Sequence, residues 1–210
     1  LDSYRQFSRL EQSQRGFYLQ DEIKLDALTV IAGLRYDNYY SVTDDTKSGI
    51  SSSQEIDQSD TTFRMAAIYT FDNNIAPYAS YSESFEPTSG VDTLTGKAFK
   101  PTTAEQIEVG MKYHNNDATT KVTAAFFDLR KQDVVVNTPD FMKYTQNGEV
   151  QSKGFEISVY QQLTDTLDVT VNLTDMDVEV IDNPQNPALE GKTPIWVAEQ
   201  QASMWLNYFF

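Results

Sequence analysis

Apolar and polar residues alternate with a period of two along most of this sequence, and no segment sustains a helical period. A chain patterned in this way folds as sheet, because successive side chains of a strand point to opposite faces. Between 28 and 37, Leu28, Val30, Ala32, Leu34 and Tyr36 alternate with Thr29, Ile31, Gly33, Arg35 and Asp37. Between 106 and 113, Ile107, Val109, Met111 and Tyr113 oppose Gln106, Glu108, Gly110 and Lys112. The same pattern over 16–25, 61–71, 154–160, 167–174 and 202–210 predicts further strands, with Asp21 interrupting the apolar face of the first. Two more are predicted over 75–85 and 121–131 with ambiguous faces, since Ala124, Ala125, Phe126 and Phe127 occupy both parities. The count is roughly nine.

The connections alternate in length. Short ones fall at 26–27, 72–74, 114–118 and 162–166, and long polar ones at 38–60, 86–102, 132–146 and 178–199. A soluble sandwich has no reason to place every long connection at one end. A transmembrane barrel has short turns on one side of the membrane and long loops on the other. The predicted fold is therefore all-β, an antiparallel transmembrane β-barrel, with this chain as an arc of it. The chain opens LDSYRQF and stops at WLNYFF, which reads as an internal stretch of a longer protein.

Composition removes most other classes. With no Cys and one His, a disulfide framework and a thiol nucleophile are impossible, and any triad has only His114. That residue lies in a short polar turn with no motif-fixed partner, so no catalytic residue is assigned. Lys and Arg number 16 against 31 Asp and Glu, a net charge of −15, which argues against nucleic acid. A mean hydropathy of −0.49 does not exclude a membrane barrel, whose lumen-facing residues offset the lipid-facing ones.

Several stretches resemble TonB-dependent siderophore receptors, particularly the ferric-hydroxamate (ferrichrome-type) branch. They are GFYLQDEIKLD (16–26), IAGLRYDNY (31–39), APYASYSESFEP (76–87), KPTTAEQIEVGMKY (100–113), AAFFDLRKQDVV (124–135), NGEVQSKGFEISV (147–159) and QASMWLNYFF (201–210). The resemblance implies that residues 1–210 belong to the barrel domain, whose plug and remaining strands are not in this sequence; such barrels close with about 22 strands. It implies an outer membrane location in a Gram-negative bacterium and import of a ferric siderophore, a hydroxamate in this branch, with energy from TonB acting through the plug. The implied partners are the ferric siderophore, TonB and outer-membrane lipid. No cofactor is expected, because the chelator's own oxygens hold the iron. Rival readings are a TonB-dependent receptor for another cargo such as cobalamin or a glycan, a soluble all-β glycan-binding module, and an outer-membrane enzyme on a smaller barrel.

By alternation, Arg35, Arg64, Glu108, Lys112 and Glu156 face the lumen, where three follow Gly at spacing two: Gly33, Gly110 and Gly154. Such glycines mark either close approach of a plug or sheet curvature. Asp175, Asp177 and Glu179 break the apolar face of their strand, which places the membrane boundary near Thr174 or requires a bulge. Their spacing suits a cation, but no Gly-turn loop follows, so a solvated loop base is the reading and no metal site is assigned. Trp196, Trp205 and most Tyr are expected in interfacial girdles. Ligand-binding candidates are Tyr39 by parity, Tyr81 and Phe85 if Glu83 points inward, and Phe99 and Tyr144 in loops.

Overall fold

The computed structural model describes residues 6–47, 50–137, 143–195 and 197–210. They form one sheet of nine antiparallel strands in strict chain order. These are β1 (Gln6–Leu25), β2 (Leu28–Lys47), β3 (Ile50–Tyr69), β4 (Ile75–Glu86), β5 (Thr102–His114), β6 (Thr120–Asn137), β7 (Tyr144–Thr164), β8 (Leu167–Asp182) and β9 (Gln200–Tyr208). A single 3-10 turn, Pro187–Leu189, interrupts the β8–β9 connection.

The register carries the predicted alternation across the sheet. Residues paired between neighbouring strands share a face. Val30 pairs with Ile23 and Ala67, Val109 with Ala79 and Phe126, Phe126 with Phe155, and Val171 with Val159 and Met204. One continuous apolar belt results. Aromatic residues mark its limits, with Phe17, Tyr36, Phe63 and Tyr81 toward the long connections and Tyr69, Tyr113 and Tyr208 toward the short turns. Such aromatic girdles are the signature of a barrel's two interfaces. The ambiguity of β6 resolves cleanly: Phe126 is 66% exposed on the belt, whereas Ala125 is 6% exposed on the opposite face.

The opposite face is concave. Asp37, Tyr39, Ser41, Ile56, Gln58, Thr102 and Val178 are buried there, although the described residues include no second layer of strands. Arg35, Arg64, Glu108, Lys112 and Glu156 share this face, as expected from the alternation. The glycines are covered by this wall's own side chains. A Cβ at Gly110 would meet the Tyr78 ring at 2.7 Å, and Tyr78 donates to Glu108 Oε1 at 2.6 Å beneath the Lys112 ammonium.

Three of the four long connections are shorter than the sequence suggests. β2 and β3 stay paired rung by rung up to Lys47 and Ile50, so most of 38–60 is a hairpin and not a loop. β6 and β7 extend to Asn137 and from Tyr144, with register shifts between Lys131 and Val135, and β8 runs on to Asp182. Above the belt both faces are polar, so alternation disappears while Thr, Ser, Val and Tyr still suit a strand. Among the described residues, the longer stretches left outside strands are 87–101 and 183–195 with 197–199. The latter runs back along β8, with Met176 N–H donating to Glu199 O and Val180 N–H to Lys192 O.

No register shift falls between Leu173 and Asp177, so no bulge flips the face; the apolar belt ends at Thr174 on β8. Asp177 stands opposite Lys153, and Asp175 accepts from Gln200 at 2.7 Å. Trp205 pairs with Thr170 on the concave face and so is not in the outer girdle, contrary to the expectation. The apolar face of β9 turns the other parity outward, with Met204 and Leu206. Trp196 lies outside the described residues.

The belt assignment has a direct test in a full-length receptor containing this chain. An Arg at the lipid midplane of a barrel costs ~2–4 kcal/mol. Val109→Arg should lower the denaturant-unfolding stability in lipid vesicles by about that amount. Ser80→Arg, on the concave face opposite Glu108, should leave it within about 0.5 kcal/mol.

Candidate functional site: a loop strapped over the concave face

The connection 87–101 leaves β4 and forms a small hairpin of its own. Val91 and Ala98 make a bridge, Asp92 N–H donates to Lys97 O at 2.8 Å, and Gly96 N–H donates to Asp92 O at 2.7 Å. Gly96 holds a φ of 69°, the left-handed conformation that a side chain disfavours. The Asp92 carboxylate organises the tip by accepting from the N–H groups of Leu94 at 2.8 Å and Thr95 at 2.9 Å.

This hairpin is fixed to the sheet on two sides. On the β7 side, Thr145 Oγ1 donates to Asp92 Oδ2 at 2.6 Å, and Thr93 exchanges hydrogen bonds with the Tyr144 backbone at 2.7–3.0 Å. The Gln146 carboxamide clasps the Lys100 backbone: Oε1 accepts from its N–H at 2.5 Å and Nε2 donates to its C=O at 2.6 Å. On the β3 side, Gln58 does the same to Thr88, with Oε1 accepting at 3.1 Å and Nε2 donating at 3.0 Å. Gln58 Nε2 also donates to Phe99 O at 2.7 Å. The loop is thus a strap spanning from β3 to β7 across the long-connection end of the concave face.

The candidates from the sequence fall into three groups. Tyr39 is paired with Gln58 and accepts from Gln12 Nε2 at 2.8 Å; Phe99 is bound to the same Gln58 through its carbonyl. Both adjoin Gln58 and are about 7% exposed, Tyr39 on the concave face of β2 and Phe99 within the strap itself. Tyr144 is 46% exposed beside Thr93 at the far end of the strap. Tyr81 and Phe85 are not with them. Tyr81 pairs with Ile107 and Met65 on the apolar face, and Phe85 and Glu83 share its parity, so the condition on which their candidacy rested is not met. Tyr81 donates to Glu83 at 2.8 Å and stands 6.5 Å from the Phe63 ring in the girdle.

Sequence reasoning missed Gln58, Asp92, Thr93, Thr145 and Gln146. Their types are common in polar connections, and nothing local to them signals that a distant backbone segment is the partner. Below the strap the concave face holds a cavity of about 720 Å³ against Tyr18, Gly33, Arg35, Thr62 and Arg64. Arg35 is clamped there to Asp37 at 2.5 and 2.7 Å, and Asp37 also accepts from Gln14 at 3.2 Å.

The Asp92 anchor predicts a pH dependence. The Thr145 hydroxyl, then the Thr95, Leu94 and Gln146 N–H groups, hold its carboxyl down from 3.8 to about 2. A carboxyl lowered by folding stabilises the folded form fully above its ordinary value, and loses that contribution as pH falls through the lowered one. Amide exchange at Leu94 and Thr95, corrected for intrinsic rates, should show protection that is flat from pH 7 to about 5 and fades from about 4 toward 2. Asp92→Asn should show weaker protection without this dependence.

Comparison with known proteins places this geometry. The family model described as TonB dependent receptor-like, beta-barrel, matches residues 1–210. The chain is 33% identical over 201 residues to the ferrichrome outer membrane transporter/phage receptor of Escherichia coli K12, covering 95% of this chain and 26% of that protein. It is 34% identical over 200 residues to the ferrioxamine receptor of Yersinia enterocolitica, covering 95% and 27%. It is 32% identical over 195 residues to the ferrioxamine B receptor of Salmonella typhimurium, covering 93% and 27%. The chain spans about a quarter of the length of these relatives. Its fold matches the crystal structure of the siderophore receptor PiuA from Acinetobacter baumannii with a TM-score of 0.80 at 23% identity, over 95% of this chain and 31% of that one. The nine strands are a stretch of outer-membrane barrel wall, and the chain belongs to the TonB-dependent receptor β-barrel family.

Proposed function

We propose that this chain is part of the wall of an outer-membrane receptor that imports a ferric siderophore of the hydroxamate class, driven by TonB through a plug domain. The observation that carries the reading is the match along nearly the whole chain to receptors named for ferrioxamine and ferrichrome. The role is transport and not catalysis: the relatives are transport receptors.

The geometry supplies a part for the wall to play. The strap narrows the mouth and carries exposed apolar groups, Val91 and Leu94, with exposed Tyr144 beside it. A compact hydroxamate chelate of little net charge fits such a surface, since aromatic and aliphatic contact needs no counter-ion. Tyr39 on the wall and Phe99 within the strap act as its buried support. The iron stays in the chelator's oxygens, and no side chain here is required as its ligand. A net charge of −15 disfavours a strongly anionic chelate.

A second reading, a metal chelate other than ferrichrome or ferrioxamine, is favoured by the match to a receptor of Pseudomonas aeruginosa named for metal-pseudopaline, 30% identical over 168 residues. One experiment separates the two. The full receptor is expressed in cells lacking other siderophore receptors and offered radio-iron as a hydroxamate, a catecholate or an aminocarboxylate chelate, with and without TonB. Hydroxamate uptake that vanishes without TonB is expected. Tyr144→Ala should weaken hydroxamate binding about fivefold to tenfold, roughly 1 kcal/mol. Preference for either other chelate would replace the substrate class.

A further inference from the structure

We propose that Gln58 and Glu83 are positioning residues that replace the backbone ladder between β3 and β4 and thereby set where the 87–101 strap lies. The proposal deepens the transport reading and rests on it for the statement that the strap meets the chelate.

The last backbone pairing between these strands toward the long-connection end is Arg64 with Ser82. Beyond it the strands separate, yet the register continues. Counting on from that pair, Phe63 falls opposite Glu83, and its N–H donates to Glu83 Oε2 at 2.9 Å. Six residues beyond the pair on each strand, Gln58 falls opposite Thr88, and its carboxamide both accepts from and donates to the Thr88 backbone. Side chains have taken the place of main chain at both positions without a slip. Between them, Thr61 N–H turns to Asp60 Oδ1 at 2.8 Å, so this freed donor is also satisfied by a side chain. A cavity of about 180 Å³ opens in the gap, against Asp60, Thr61, Thr62, Glu83 and Ser84.

The consequence is directional. Gln58 has the concave parity and is 6% exposed, so it holds Thr88 from the inner side of β3. A backbone rung would have kept the end of β4 flush with the wall, about 4.8 Å from β3. The side-chain rung draws it inward, and the third bond, to Phe99 O, fastens the returning limb of the strap to the same carboxamide. Glu83 holds the foot of the gap: Oε2 takes the Phe63 N–H while Oε1 takes the Tyr81 hydroxyl. The YSESFEP stretch, singled out by its resemblance to the family, thus places Glu83 in the wall and not in the ligand site.

The test uses the full-length receptor in outer-membrane vesicles, spin-labelled at Ser53 and Ser89. The parent should give one narrow distance. Gln58→Leu, of similar size but without polar atoms, should broaden it. Gln58→Glu, which keeps the acceptor for Thr88 N–H and loses both donors, should broaden it less. Glu83→Ala should lower exchange protection at Phe63, and Glu83→Gln, which retains an acceptor oxygen, should restore it. In unlabelled receptor, Gln58→Leu should raise the dissociation constant for ferric hydroxamate about tenfold. The thermal midpoint should stay unchanged, which a general loss of structure would not allow. A narrow distance in Gln58→Leu would overturn the anchoring. A broad distance with unchanged affinity would overturn the link between strap and chelate. A parent receptor that binds no ferric hydroxamate would refute the transport reading instead, while the label distances still judge Gln58 on their own.

Discussion

Every backbone N–H and C=O of a strand in hydrocarbon must find a protein partner, because lipid offers none. The antiparallel ladder meets that demand, and its irregularities are distributed accordingly. The register shifts of β6–β7 lie between Lys131 and Val135, and those of β7–β8 near Glu149 and near Gln162. The β3–β4 separation begins at Phe63, the last apolar residue of its face. All sit at or beyond the limits of the apolar belt. Within the belt the pairing is unbroken. Departures from regular sheet occur where water or a polar side chain can serve as the partner, and there the strap is built.

The concave face shows the same economy with charge. Arg35 is paired with Asp37, and Glu108 accepts from Tyr78 and Gln106 while Lys112 lies 5.1 Å from the Tyr78 ring centre. Isolated exposed ion pairs add little stability, but polar groups facing an enclosed lumen need partners wherever they come from. Much of this wall satisfies its own.

The belt and its strands were legible because a lipid-facing position tolerates a narrow set of residues at a fixed period. Leu28, Val109 and Ile157 could be assigned a face from their neighbours alone. Asp175 marked the end of the belt for the same reason. Legibility stopped where that constraint stopped. The upper half of the β2–β3 hairpin is polar on both faces, so nothing in 38–60 distinguished paired strand from loop, and the connection looked far longer than it is. The site was harder still. Tyr81 and Phe85 are aromatic and near a long connection, as a ligand contact would be, but an interfacial girdle selects the same residues at the same depth. Only the register of Tyr81 against Met65 and Ile107 separates the two roles. Gln58 and Gln146 act by reaching across the sheet to main chain, an interaction with no local pattern.

The strict chain order of the strands has a consequence for how such walls arise. Every strand pairs only with its neighbours in the chain, through eight successive antiparallel contacts. Within each hairpin the pairs nearest the turn close the shortest loops, and the rest can zip outward from them. A hairpin is therefore a self-sufficient unit of circumference: adding or deleting one shifts no other pairing and keeps the strand number even. Bacterial barrels of very different diameter share that even count. A wall of this design can be widened or narrowed during evolution two strands at a time, with the belt, the girdles and the inner polar face carried along in each increment.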